Sequence, residues 1–138
     1  MSILNGQVHS DVIKEENMPY GTLLREVISY PMDGCFDVAV DERARYAYVA
    51  YECTLSIYDL ADPAQPVLLS SLKGLGASRQ IVVRQSYAYI TARADGLFIV
   101  DVLNARQPKL VAHFDTLELA TGVAVSGNLC LVANRHLG

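Results

Sequence analysis

The chain has 138 residues, of which 51% are hydrophobic and 19% charged, so its length and composition fit one globular domain and exclude a disordered protein. Its net charge is −4 and its basic residues are scattered, which argues against nucleic acid or an anionic membrane as the main partner. The sequence has no apolar run of the roughly 18 residues that a membrane-spanning helix needs.

Residues 1–22 differ from the rest of the chain. They are polar and lack both a basic start and a continuous apolar stretch, so we expect no signal peptide at this N-terminus. The dipeptide Asn5-Gly6 is typical of a tight hairpin turn. We therefore treat residues 1–22 as an N-terminal segment outside the pattern that follows.

From residue 23 onward, short runs rich in Val, Ile, Leu and Tyr alternate with turn residues. Side chains of these types fill a pleated, half-buried surface, and the runs are too short for helices, so they predict β-strands. In chain order the predicted strands are 24–29, 36–40, 46–50, 55–60, 66–72, 80–84, 87–91, 97–102, 108–114, 122–126 and 129–133.

The runs return at a fixed interval. Asp59 and Asp101 are 42 residues apart, and so are Pro66 and Pro108. Four short antiparallel strands in about 40–45 residues are typical of one blade of a β-propeller. The sequence therefore predicts an all-β fold, a partial β-propeller built from about two and a half four-stranded antiparallel blades.

The third strand of each unit carries a specific resemblance. The run LFIVD at 97–101, and less closely LSIYD at 55–59, resembles the LVIVD repeat, a family of β-propeller blades. The resemblance covers residues 23–138 and implies the fold, but it implies little about function. Members of such families are often exported or placed at the cell surface, an expectation that the polar N-terminus does not support.

The last predicted unit, up to residue 138, has a first and a second strand but no third. A ring of at least four such blades would need roughly 170 residues. Three explanations stay open: an incomplete reading frame, a ring completed by several copies of the chain, or an open two-blade structure. In the second case three chains would sum to about seven blades, and residues 1–22 would supply the missing third strand.

Known catalytic and cofactor motifs are absent from the sequence. It has no GxSxG nucleophile motif, no histidine spacing that suits a metal, and no glycine-rich loop before a helix, so we predict no catalytic residues, metal or cofactor. The three cysteines form no CxxC pair and predict buried free thiols. We expect Asp59 and Asp101 to accept hydrogen bonds from the turns that follow them.

Propeller geometry places ligands where the central channel opens, at the loops from fourth to first strand and from second to third strand. The polar candidates in these loops are Asp33, Arg79, Arg93, Asp95, Asp115 and Arg135. Arg93 and Arg135 occupy matching repeat positions, and two arginines at one channel mouth suit an anionic partner. The alternative is that they are solvated loop residues.

These observations favour a non-enzymatic scaffold that binds a protein or a small anionic ligand. A second hypothesis is a propeller-type hydrolase or lactonase that uses channel carboxylates and a metal, for which the first-strand ends offer Asp37, Asp41 and Ser126. A third is a fragment without autonomous function. A homo-oligomer that completes the ring is a further expectation.

Overall fold

In a computed structural model, the described part of the chain consists of β-strands and the turns between them. The structure describes residues 2–4, 7–18, 21–31, 35–41, 43 and 45–136, and of residues 2–31 it describes the backbone alone. This part of the chain contains no helix that could cross a membrane. The all-β fold and the partial propeller that the sequence predicts are confirmed.

The described strands form four antiparallel sheets. They are β1 (Ser2–Leu4), β2 (Gln7–Met18), β3 (Gly21–Pro31), β4 (Cys35–Val40), β5 (Tyr46–Tyr51), β6 (Thr54–Asp59), β7 (Val67–Lys73), β8 (Gln80–Arg84), β9 (Tyr87–Thr91), β10 (Leu97–Asp101), β11 (Lys109–Phe114), β12 (Leu119–Ser126) and β13 (Leu129–Arg135). Strands β1–β3 form an N-terminal sheet, β4–β7 the first unit, β8–β11 the second unit and β12–β13 the third unit.

Within the two complete units, the strands follow the predicted runs to within one residue at either end. In the third unit β12 starts at Leu119, three residues before the predicted run. The predicted strand 24–29 lies within β3, which pairs with β2 and through it with β1. The N-terminal sheet therefore joins residues on both sides of position 22.

The hydrophobic core lies between the first and second units. Alternate side chains of each strand face the neighbouring unit, because successive residues of a strand point to opposite sides of its sheet. The largest fully buried apolar side chains are Leu55, Ile57, Leu75, Ile90 and Val100. Two stacked sheets thus share one core, which neither unit forms by itself.

Side chains on the innermost strands also link one unit to the next. Asp37 Oδ2 accepts a hydrogen bond from the backbone N–H of Ile81 at 2.9 Å. Gln80 Oε1 accepts one from the backbone N–H of Val123 at 2.6 Å. Acceptors and donors recur at the repeat interval, so one type of contact joins the first unit to the second and the second to the third.

The aspartates that end the third strands hold their own turns. Asp59 Oδ1 accepts a hydrogen bond from Ala61 N–H at 2.8 Å, and Asp101 Oδ1 accepts one from Leu103 N–H at 2.9 Å. The predicted structural role of both residues is confirmed. Each carboxylate accepts the hydrogen bond of a turn N–H that would otherwise need a backbone acceptor. Aspartate therefore recurs at this position because the turn recurs in each unit.

We expect Asp37→Ala to lower the free energy of unfolding by about 1–3 kcal/mol, because the Ile81 N–H would lose its acceptor inside the contact between units. Asp37→Asn keeps an amide oxygen at the same place and should cost less. Urea unfolding followed by circular dichroism measures both. Equal loss in the two variants would contradict a hydrogen-bonding role for this side chain.

Candidate functional site

The loops from fourth to first strand and from second to third strand lie on one side of the described structure, here called the loop face. Ser78 N–H donates to the Glu52 carbonyl oxygen at 3.0 Å, and 42 residues later Ala120 N–H donates to the Arg93 carbonyl oxygen at 2.9 Å. The loop before β8 and the start of β12 are thus each tied by a backbone hydrogen bond to the preceding unit. The loop face is therefore held by the same contacts that hold the units together.

Asp95 is fixed in this loop network. Its Oδ2 accepts a hydrogen bond from Ala77 N–H at 3.2 Å, and its carbonyl oxygen contacts Nε2 of His113. A side chain at Gly76 would overlap Asp95, since a Cβ there would lie 2.6 Å from the Asp95 Cβ. Asp95, a predicted site residue, thus holds the β7–β8 loop against the β9–β10 loop on the loop face.

Three predicted arginines, Arg79, Arg93 and Arg135, are exposed on the loop face. The backbone of Arg93 forms a bridge with Ala120 at the start of β12, while Arg135 pairs with Leu119 on the other side of that strand. Two strand spacings separate their backbones, about 10 Å. The structure therefore brings Arg93 and Arg135 to opposite sides of one strand.

The charges of these arginines are unpaired within the described part of the chain. None of Arg79, Arg93 and Arg135 has an ion-pair partner among the described residues. The nearby carboxylate of Glu118 instead binds Nδ1 of His136 at 2.6 Å. Of the remaining predicted positions, Asp115 is exposed on the same face and Asp33 lies outside the described residues.

The first-strand carboxylates serve the fold. Asp37 binds the second unit, and Asp41 Oδ1 accepts hydrogen bonds from Arg45 N–H at 2.7 Å and Tyr46 N–H at 2.9 Å. Ser126 is exposed at the β12–β13 turn. The described residues contain no group of three or more His, Cys, Asp or Glu side chains placed to hold a metal ion.

A groove of about 570 Å³ lies on the opposite side, between the turns of the first and second units. Arg43, Arg45, Gln85 and Leu103 contribute to its lining. Arg45 is 3.0 Å from Asp59, so its charge is already paired. Sequence reasoning missed this groove because it considered only the loops at the channel mouth; the signal in the sequence is the pair of arginines in the β4–β5 turn.

Tyr48 is buried between the units and titrates unusually. Burial, followed by the charges of Asp41 and Tyr46, raises the pKa of Tyr48 to about 12. The neutral phenol is therefore favoured in the folded state. Because the charged form is penalised by the contact between units, the titration of Tyr48 reports whether that contact is closed.

The cysteines are free among the described residues, as predicted. Cys35 is buried, but Cys53 and Cys130 are exposed, so the predicted burial is wrong for two of the three. Cys53 lies in a hairpin turn, and Cys130 lies in the third unit, of which two strands are described. The remaining desolvation still raises the pKa of the Cys130 thiol.

Comparison with known families matches the repeat units. The LVIVD repeat model matches residues 36–73 and 75–116, together more than half of the chain. The first match covers the first unit, and the second match covers the second unit and its connecting loops. No curated protein matches the chain.

Gly96→Ala should destabilise the loop face more than Gly74→Ala. Both glycines have a positive φ, +80° and +86°, so both substitutions bear a similar backbone cost. Only at Gly96 would a Cβ also overlap the Phe114 carbonyl oxygen, whereas Gly74 has open space. Urea unfolding of the two variants compares them directly, and equal destabilisation would contradict the close approach at Gly96.

We expect the stability of the wild-type chain to fall between pH 10 and 12 by more than that of Tyr48→Phe. The folded pKa of Tyr48 is raised to about 12, so its stabilising contribution is full below the unfolded value of 10.0 and is lost as the pH rises through 12. Urea unfolding across this range measures the difference. Tyr87→Phe, at the surface of the second unit, is the control, and identical pH profiles for wild type and Tyr48→Phe would refute the assignment.

Proposed function

The chain belongs to the LVIVD repeat family, and from this premise we propose that it is a non-enzymatic scaffold that binds an acidic segment of a partner protein on its loop face. One observation carries the proposal. Arg93 and Arg135 extend from the two sides of β12 without an ion-pair partner among the described residues. Exposed, unpaired guanidinium groups on a fixed backbone suit recognition of carboxylates.

The spacing of the two arginines suggests what the segment looks like. Their backbones are about 10 Å apart, which is roughly three residues of extended chain. A segment in the extended polyproline II conformation, with three residues per turn and a rise of about 3.1 Å per residue, presents two carboxylates three residues apart on one side, at a spacing that matches this backbone separation. Arginine binds a carboxylate through two parallel hydrogen bonds, which gives direction as well as charge attraction.

The backbone of this face is organised before any partner binds. The bridge between Arg93 and Ala120 and the hydrogen bond from the Ala77 N–H to the Asp95 carboxylate fix the loops within the fold. A site on fixed loops loses less conformational entropy on binding than a site on loops that must first become ordered. This supports a binding role for the loop face.

The hydrolase or lactonase hypothesis has no such support. It needs carboxylates that are free to hold a metal or move a proton, and Asp37, Asp41 and Asp95 each accept hydrogen bonds from backbone N–H groups. Those bonds join units or close turns. We therefore keep the binding scaffold as the single proposed function.

The test uses a fluorescent extended peptide that carries two glutamates three residues apart. Fluorescence anisotropy should show salt-sensitive binding, since exposed charge pairs are screened by salt. Arg93→Glu and Arg135→Glu should each weaken it at least roughly tenfold, because attraction becomes repulsion. Arg106→Glu is the matched control: Arg106 is exposed in the β10–β11 turn, away from the loop face.

Binding that Arg106→Glu weakens as much as Arg93→Glu would mean that net charge, and not the loop face, attracts the peptide. The absence of binding at low salt would reject an acidic partner. A scrambled peptide in which the same two glutamates stand side by side tests the spacing, and it should bind more weakly than the original peptide.

A further inference from the structure

The third unit lacks the outer half of a complete unit among the described strands. In the first and second units the strand order is first, second, third, fourth, from β4 to β7 and from β8 to β11. Strands β12 and β13 take the places of the first and second strands. The outer edge of β13 therefore has no neighbour among the described strands, and its backbone N–H and C=O groups are open to pairing.

The N-terminal sheet supplies the strand positions that the third unit lacks among the described strands. β3 leads directly into β4, as β7 leads into β8, so β3 takes the place of a fourth strand and β2 the place of a third strand. β1 pairs with β2 only over Gln7–His9. The rest of that edge, residues 10–18, has no partner among the described strands and is longer than the seven residues of β13.

The exposure of side chains on the first unit shows where that unit lacks a neighbour among the described residues. Val38 is 50% exposed, whereas Ile81 at the same repeat position in the second unit is 3% exposed. Val49 and Ser56 lie on the same face as Val38, and they are 4% and 1% exposed. This face is thus covered over β5 and β6 and uncovered over β4, where the first and second strands of a preceding unit would lie.

The third unit has a matching apolar surface. Leu129 and Leu131 are 62% and 66% exposed. In the first unit Tyr48 occupies the repeat position of Leu131, and there it is 3% exposed because it packs against the second unit. By analogy with Tyr48, the exposed surface around Leu131 suits packing against the first strand of a following unit.

We propose that β12 and β13 of one copy of this chain complete the unit that β2 and β3 of a second copy begin. β13 would pair antiparallel with the open edge of β2, as β9 pairs with β10. Leu131 would then cover Val38 of the second copy. We choose a second copy as the occupant because the described strands of one chain include both halves of such a unit.

The same contact fixes the number of copies. The described strands of each copy give two complete units and two half units, so two copies of this chain make six blades, within the usual range of about 4–8. Three copies would make nine, outside that range, so the three-chain, seven-blade count drawn from the sequence changes once β2 and β3 are included. In this contact β13 of one copy meets β2 of the other, and a second, identical contact closes the ring of two copies.

The shared unit should be held less firmly than the units within one chain. At the repeat position of Asp37 and Gln80, which accept the hydrogen bonds between units, the third unit has Gly122. Gly122 has no side-chain acceptor for the backbone N–H of Val38 in the second copy. We therefore expect a reversible dimer that depends on concentration.

Sedimentation velocity of the full chain over a hundredfold concentration range tests the assembly without any peptide, so its result is independent of the loop face. We expect a monomer–dimer equilibrium that approaches twice 15.1 kDa. Leu131→Asp and Val38→Lys should each raise the dimer dissociation constant by roughly 100-fold, since each places a charge in an apolar contact. Leu103→Asp, at a position 81% exposed in a turn, is the matched control and should not change it.

Mixing the two variants separates a broken contact from a misfolded chain. A dimer of Leu131→Asp with Val38→Lys has one unaltered contact and one in which opposite charges meet, so native mass spectrometry of an isotope-labelled mixture should show it. A wild-type chain that stays monomeric, a closed assembly of another size, a dimer that neither variant weakens, or a mixture that stays monomeric would each overturn the proposal.

Discussion

The structure depends on one constraint: a four-stranded unit has two apolar faces and cannot bury both of them alone. The position held by Val38, Ile81 and Val123 shows this within a single chain. Ile81 and Val123 are 3% and 7% exposed because a unit precedes each of them, and Val38 is 50% exposed where only part of a unit precedes it. Stability, assembly and the position of the loops follow from how these faces are covered.

Hydrogen bonds between units set the register of this face-to-face packing. Asp37 and Gln80 each reach from an innermost strand to a backbone N–H of the next unit. Apolar packing alone tolerates sliding, whereas a bond to one N–H sets a single register. The loops inherit that register, because Ala120 and Arg93 pair their backbones across the same boundary. Side chains on different units, such as Arg93 and Arg135, thereby acquire a defined separation.

The molecule offers surfaces of different chemistry for different purposes. The loop face carries arginines that have no ion-pair partner among the described residues, which is why we propose that it binds a charged ligand. At the two ends of the row of units, the described residues include exposed apolar side chains and strand edges without a described neighbour, which is why we propose pairing with a second copy there. The groove on the opposite side contains Arg45, whose charge Asp59 neutralises. Among the described carboxylates, Asp37, Asp41 and Asp95 accept backbone hydrogen bonds that join units or hold turns.

The sequence by itself determined the repeat, the strands of the two complete units and the role of Asp59 and Asp101, because these depend on local alternation and turn chemistry that recur every 42 residues. Only the tertiary structure decided that β3 pairs with β2, that Val38 is exposed where Ile81 is buried, and that Arg93 and Arg135 lie on either side of β12. The physical reason is that a strand's pattern records which of its faces is apolar, but it does not record which neighbour covers that face. Pairing partners and distances between loops belong to contacts far apart in the chain, and so the loop positions were predicted while their hydrogen bonds and their pairing across β12 were not.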